Sequence, residues 1–151
     1  MKLRSLKETE SLSKKISKIT REGDVIFLYG EIGTGKTTFV RFFINHLESL
    51  NSLKKSDILS PTFNILYDYN IKKIKIQHYD LYRLKNYGDI LELRIFEDCE
   101  SSIKILEWPE LIKVKPKNRI EISFKYSKFE DSRKIKISGF GEWKNYNFNA
   151  I

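Results

Sequence analysis

The sequence predicts an α/β fold, on three adjoining observations. Val25-Ile26-Phe27-Leu28-Tyr29 is a continuous apolar run rich in β-branched and aromatic residues, the pattern of a strand buried on both faces in a parallel sheet. Gly30 to Gly35 follows as a glycine loop. From Lys36 to about Leu50 the spacing is helical, with Phe39, Phe42, Phe43 and Leu47 as the expected buried side. The chain has 151 residues. That suits one domain rather than two, and a domain of about 150 residues buries about 68–70% of its unfolded surface.

The other elements follow in order. Ser5 and Glu8 have capping-box spacing at the head of a helix over 5–20, with Leu6, Leu12, Ile16 and Ile19 as an incomplete apolar stripe. Asn51 to Asp57 reads as a polar connection and Ser60-Pro61-Thr62 as a turn. Strands are expected over Phe63–Tyr69 and Lys73–Tyr79, joined as a hairpin around Asn70. Lys85 to Gly88 is a polar loop before a helix over Asp89–Cys99. Ile103 to Leu106 is a further strand, ended by Glu107-Trp108-Pro109. Alternation over Arg119–Tyr126 and Lys134–Ser138 predicts half-exposed antiparallel strands. Residues 142–151 have no period and read as a tail. Neither a repeat nor a domain boundary stands out, so 1–151 is expected to be a single domain.

Composition narrows the classes. With 13% aromatic and 40% hydrophobic residues the chain is not disordered. Charged residues interrupt the N-terminal stretch too often for a signal peptide, and no apolar run approaches the roughly 20 residues of a membrane helix. The single cysteine, Cys99, cannot form an internal disulfide and is read as inert. A cytoplasmic protein without membrane contact is expected. The net charge of +8 invites a nucleic-acid partner. However, the charge is mostly Lys (21 against 7 Arg) and is spread along the chain. A basic nucleic-acid surface more often concentrates charge and uses Arg, so the excess is read as a solvated surface.

Chemistry concentrates in Gly30-Glu31-Ile32-Gly33-Thr34-Gly35-Lys36-Thr37, which fits G-x-x-x-x-G-K-[ST], the P-loop. Its glycines let the backbone approach a phosphate closely and present successive N–H groups as an anion nest. The following helix aims its positive end at the same place. Lys36 is expected on the β- and γ-phosphates and the Thr37 hydroxyl on Mg²⁺. Such a site needs a further acid on a neighbouring strand. Glu107 and Asp80 both stand at strand ends. His78, on the same strand face as Asp80, is read as structural and His46 as a surface residue. Trp108 is read as packing or stacking.

Four blocks in this order resemble the bacterial TsaE (YjeE) family: Gly30–Arg41, Ser60-Pro61-Thr62-Phe63, His78–Leu84 and Ile105–Pro109. The resemblance spans about residues 5–140. It implies a P-loop NTPase fold with a mixed parallel and antiparallel sheet flanked by helices. It also implies a small Mg²⁺-dependent ATPase, with ATP and Mg²⁺ as cofactors, needed for threonylcarbamoylation of the adenosine next to the anticodon of tRNA. Such a protein acts on a TsaB–TsaD complex and meets tRNA only through it; a monomer is expected in isolation.

Residue by residue, the resemblance assigns Lys36 to phosphate, Thr37 and Glu107 to Mg²⁺, and Asp80 to the essential aspartate. Thr38 and Thr62 would lie beside the phosphates and Thr9 near the adenine. Lys85-Asn86-Tyr87-Gly88-Asp89 departs from the acidic stretch of relatives. Arg41, Arg83 and Arg94 are candidates for an arginine finger. Two rival readings remain at this level: a small-molecule or nucleotide kinase on the same fold, and a nucleotide-gated RNA-binding or scaffold module without hydrolysis.

Overall fold

The computed structural model describes residues 1–98, 101–127 and 132–150. Among these residues seven strands form one sheet: β1 (Lys2–Leu3), β2 (Val25–Tyr29), β3 (Leu66–Ile71), β4 (Ile74–Asp80), β5 (Ile103–Glu107), β6 (Arg119–Tyr126) and β7 (Arg133–Phe140). Their order is β1-β7-β6-β2-β5-β4-β3. The centre, β6-β2-β5-β4, is parallel. The pairs β1–β7, β6–β7 and β3–β4 are antiparallel. The sheet is therefore mixed, as expected. β6 is antiparallel only on its β7 side, because its other neighbour is the central β2.

Helices α1 (Leu6–Ile19) and α2 (Lys36–Leu50) cover one face; α3 (Tyr87–Glu92) and a 3-10 turn at Pro109–Leu111 cover the other. Alternation along β2 feeds both cores. Ile26 and Leu28 pack with Phe39, Val40, Phe43 and Ile44, while Val25 and Phe27 pack with Ile90, Ile95 and Leu106. This two-sided burial is why β2 reads as an unbroken apolar run.

Several expectations need correction. Leu12 and Ile16 are buried as expected and Ile19 packs against the core, but Leu6 is exposed and α1 also buries Thr9, Ser13 and Ser17. Small polar residues let it approach α2 closely, and Ser13 Oγ donates to Phe39 O at 2.7 Å. On α2, Val40 and Ile44 are buried with Phe39, Phe43 and Leu47, and Phe42 is only half-buried. Strand β3 starts at Leu66, since Thr62 to Asn64 are in a turn and Phe63 is 82% exposed. The hairpin turns at Lys72-Lys73, with Lys72 at φ +54°, not around Asn70. α3 begins two residues before Asp89 and ends at Glu92. Asn86 caps it in a capping box with Asp89 as N3, so Asp89 is an internal cap residue rather than the start. The rest of the helix expected to Cys99 is turns up to Asp98; Cys99 lies outside the described residues. The segment after Glu142, expected as a tail, buries Trp143 and Phe148 in the α1–α2 core. His46, expected at the surface, is half-buried.

Candidate active site

β2 ends at Tyr29 and the chain turns sharply to enter α2. Gly30 has φ +142°, and a Cβ there would stand 2.5 Å from Phe124 O, so only glycine fits between β2 and β6. Thr34 closes the loop by donating Oγ1 to Glu31 O at 2.8 Å. Tyr126, at the end of β6, fastens the tip by donating to Ile32 O at 2.7 Å. α2 is capped by Gly35 with no side-chain hydrogen bond. Its first-turn N–H groups thus remain available to an anion.

Lys36 is 4% exposed. Its Nζ donates to Gly30 O at 2.6 Å and Glu31 O at 3.0 Å and lies 3.8 Å from the centre of the Trp108 ring. Burial lowers its pKa below the usual lysine value, while the charges of Glu107, Asp80 and Glu110 act in the opposite direction. Trp108 holds a left-handed backbone (φ 59°) as the chain turns from β5 into Pro109, and that turn brings the ring over the lysine.

The two acids meet at the same end of the sheet. Asp80 ends β4 and Glu107 ends β5, and the parallel register places them opposite each other. Both are buried. Glu107 accepts the Thr37 hydroxyl at 2.9 and 3.0 Å on its two oxygens and contacts His78 Nε2 at 2.9 Å through Oε1. Asp80 Oδ2 accepts from Ser60 Oγ at 2.9 Å and Thr62 Oγ1 at 2.6 Å; Oδ1 accepts from Tyr82 N at 3.0 Å. Lys36, Thr37, Thr62, Asp80 and Glu107 therefore converge at the C-terminal ends of parallel strands, where open α/β sheets bind ligands.

Thr9 lies on the other side of the P-loop. With Thr38, Gly33, Thr34 and Gly35 it lines a cleft of about 380 Å³ that Arg4, Ser5 and Arg133 also border. Arg4 and Arg133 carry no local sequence signal, because β1 brings the N-terminal segment beside β7 from the far end of the chain. The same holds for Tyr126. Arg41 donates to Ile58 O, Arg83 lies over the Phe63 ring and Arg94 pairs with Glu97. None of these contacts involves the P-loop, Asp80 or Glu107.

A family profile described as "Threonylcarbamoyl adenosine biosynthesis protein TsaE" matches residues 3–135. The chain belongs to the TsaE family. It is 39% identical over 111 residues to the tRNA threonylcarbamoyladenosine biosynthesis protein TsaE of Rickettsia prowazekii, covering 74% of each chain. It is 30% identical over 135 residues to that of Bacillus subtilis, covering 89% of this chain and 81% of the relative. The crystal structure of Bacillus subtilis YdiB superposes with a TM-score of 0.73 at 25% identity, over 94% of this chain and 85% of that one. The sheet of this TsaE-family chain, with its helices and glycine loop, has the P-loop fold.

The donor set at the site suits a hard cation. Thr37 and Glu107 offer oxygen, and Asp80 a second carboxylate nearby. Among the described residues no group of three or more His, Cys, Asp and Glu could hold a metal alone. Mg²⁺ is commonly held by one or two carboxylates together with substrate phosphates, and the oxygens of Thr37, Glu107 and Asp80 are donors of that kind. Among the described residues no helix is long and apolar enough to cross a membrane.

Proposed function

We propose that this chain is a Mg²⁺-dependent ATPase required for threonylcarbamoylation of the adenosine next to the anticodon of tRNA. In this reading it acts on a TsaB–TsaD-like complex in the cytoplasm and does not itself transfer the group. The convergence of Lys36, Thr37, Asp80 and Glu107 on the P-loop carries the ATPase reading. Membership of the TsaE family supports the tRNA reading.

ATP would lie with its phosphates across Gly30–Thr38 and its base in the cleft lined by Thr9, Thr38 and Arg133. Lys36 would exchange Gly30 O and Glu31 O for β- and γ-phosphate oxygens. Thr37 and Glu107 would hold Mg²⁺, which when bound neutralises charge on the triphosphate. Asp80 would orient the attacking water or its shell. Because Asp80 also holds Ser60 and Thr62, this loop would sense the state of the γ-phosphate.

The three candidate arginines engage other partners. An arginine finger is worth about 10³–10⁵ in rate, so hydrolysis by the isolated chain should be slow. Phosphate release, measured alone and with TsaB and TsaD homologues, tests this together with a pull-down. Binding and stimulation are expected. Absence of both would remove the partner claim, and several turnovers per second by the chain alone would remove the dependence on partners.

A further inference from the structure

We propose that His78 is a positioning residue that sets the orientation of the Glu107 carboxylate for metal binding. The inference rests on the reading of Glu107 as an Mg²⁺ ligand. The Thr37 hydroxyl is almost equidistant from the two Glu107 oxygens, at 2.9 and 3.0 Å, so it does not distinguish them. His78 does: its Nε2 stands 2.9 Å from Oε1 alone. That contact breaks the symmetry and leaves Oε2 as the oxygen to turn toward a ligand.

The placement follows from the sheet. His78 pairs with Ile105 in the parallel register, and Asp80 pairs with Glu107. Side chains alternate along a strand, so His78 and Asp80 share a face. The imidazole thus lies one step below the two acids, on the inner side of Glu107. It is 0% exposed, and its Nδ1 has no hydrogen-bond partner among the described residues. A carboxylate only accepts, so the proton of this contact is on Nε2. Among the described residues the ring's one hydrogen-bond partner is therefore Glu107, although burying Nδ1 without a partner is costly. A histidine kept only for packing would be served as well by an apolar residue.

Among the described residues Thr37 and His78 are the side chains bonded to Glu107, so if the Thr37 hydroxyl is given up to Mg²⁺, His78 still holds Glu107. Partners of metal-ligating groups that lie behind the ligand shell affect metal affinity about 10–100-fold. His78→Leu should weaken Mg²⁺ by that factor when binding of a fluorescent ADP analogue is titrated with Mg²⁺, leaving binding in EDTA unchanged. His78→Gln, which keeps an N–H donor of similar reach, should recover most of the loss. Glu107→Gln separates the two claims. If Glu107→Gln leaves the Mg²⁺ dependence intact, the ligand reading fails and takes this inference with it. If Glu107→Gln matters while His78→Leu does not, or His78→Gln is no better than His78→Leu, the positioning role alone fails.

The intact chain gives a test that no folding defect can obscure. It has two histidines, so ¹⁵N-histidine spectra are assignable with a His46→Gln control. His78 should carry its proton on Nε2 and keep it when Mg²⁺ and ADP are added, with its resonance moved by the metal. A proton on Nδ1, or a resonance indifferent to Mg²⁺, would overturn the proposal.

Discussion

Asp80 holds a loop and, in the proposed function, also serves hydrolysis, and substitutions can divide the two. Its carboxylate gathers Ser60, Thr62 and the Tyr82 amide, so it organises a loop as well as facing the P-loop. Asp80→Ala removes all three acceptor contacts from a side chain that is 3% exposed. The donors belong to exposed or half-buried residues that water can reach, so each bond counts at its net worth of about 0.5–1.5 kcal/mol, and urea denaturation should find a loss of at least that size. Asp80→Asn can still accept from Tyr82 N, and the hydroxyls of Ser60 and Thr62 can rotate to accept from its amide. It should therefore be clearly more stable than Asp80→Ala, yet equally impaired in phosphate release. Equal stability of the two variants would mean that the loop does not depend on these bonds.

At the scale of elements, legibility followed the range of the interaction. β2, the P-loop and α2 are contiguous, and burial on both sides of β2 leaves an apolar run that needs no partner to be recognised. The acids were legible because Glu107 and Asp80 end apolar strands. The cleft beside Thr9 was not, because Arg4 and Arg133 become neighbours only through the β1–β7 pairing. Leu12 and Ile16 mark the buried face of α1, but its polar part escapes the pattern: Thr9, Ser13 and Ser17 are residues that a hydrophobic template scores as solvent-facing. Ser13→Leu tests that close packing. Added bulk in a filled interface costs about 1–3 kcal/mol, so a lower midpoint in chemical denaturation is expected, whereas Leu6→Ser on the exposed side should change little. The Lys72 turn was missed because it has no glycine to mark its positive φ.

α3 adds a pH test. Backbone hydrogen bonds from Lys85 and then Asn86 hold the Asp89 carboxyl below its ordinary pKa. With the folded-state pKa depressed, its contribution is present above the unfolded carboxylate value and is lost as pH falls through the folded one. The stability gap between the native chain and Asp89→Asn should therefore be open at neutral pH and close in acid, as read by denaturation across pH. A gap that widened in acid would reverse the assignment.

The whole molecule depends on its C-terminal segment returning to the sheet beside the start of β2. Trp143 packs against β7 so closely that a Cβ on Gly139 would lie 2.0 Å from Trp143 O. Its indole Nε1 donates to Asp24 Oδ1 at 2.7 Å. Asp24 in turn accepts from Arg21 N through Oδ2, and its carbonyl accepts from Lys104 N on β5. Asp24 immediately precedes β2, whose far end carries the P-loop, so this contact fixes one end of the strand that leads into that loop. An ion pair between Arg21 and Glu142 lies close by, but both side chains are mostly exposed, at 72% and 60%. Exposed pairs contribute about 0–1 kcal/mol. Replacing a buried Trp by Ala costs about 3–5 kcal/mol. Trp143→Ala should therefore lower the unfolding free energy by several times more than Glu142→Ala in chemical denaturation. At temperatures where both variants remain folded, their affinity for nucleotide should stay close to that of the native chain, because neither side chain reaches the P-loop. A large effect of Glu142→Ala with a small one of Trp143→Ala would place the closure of the sheet in surface charge rather than in the buried ring.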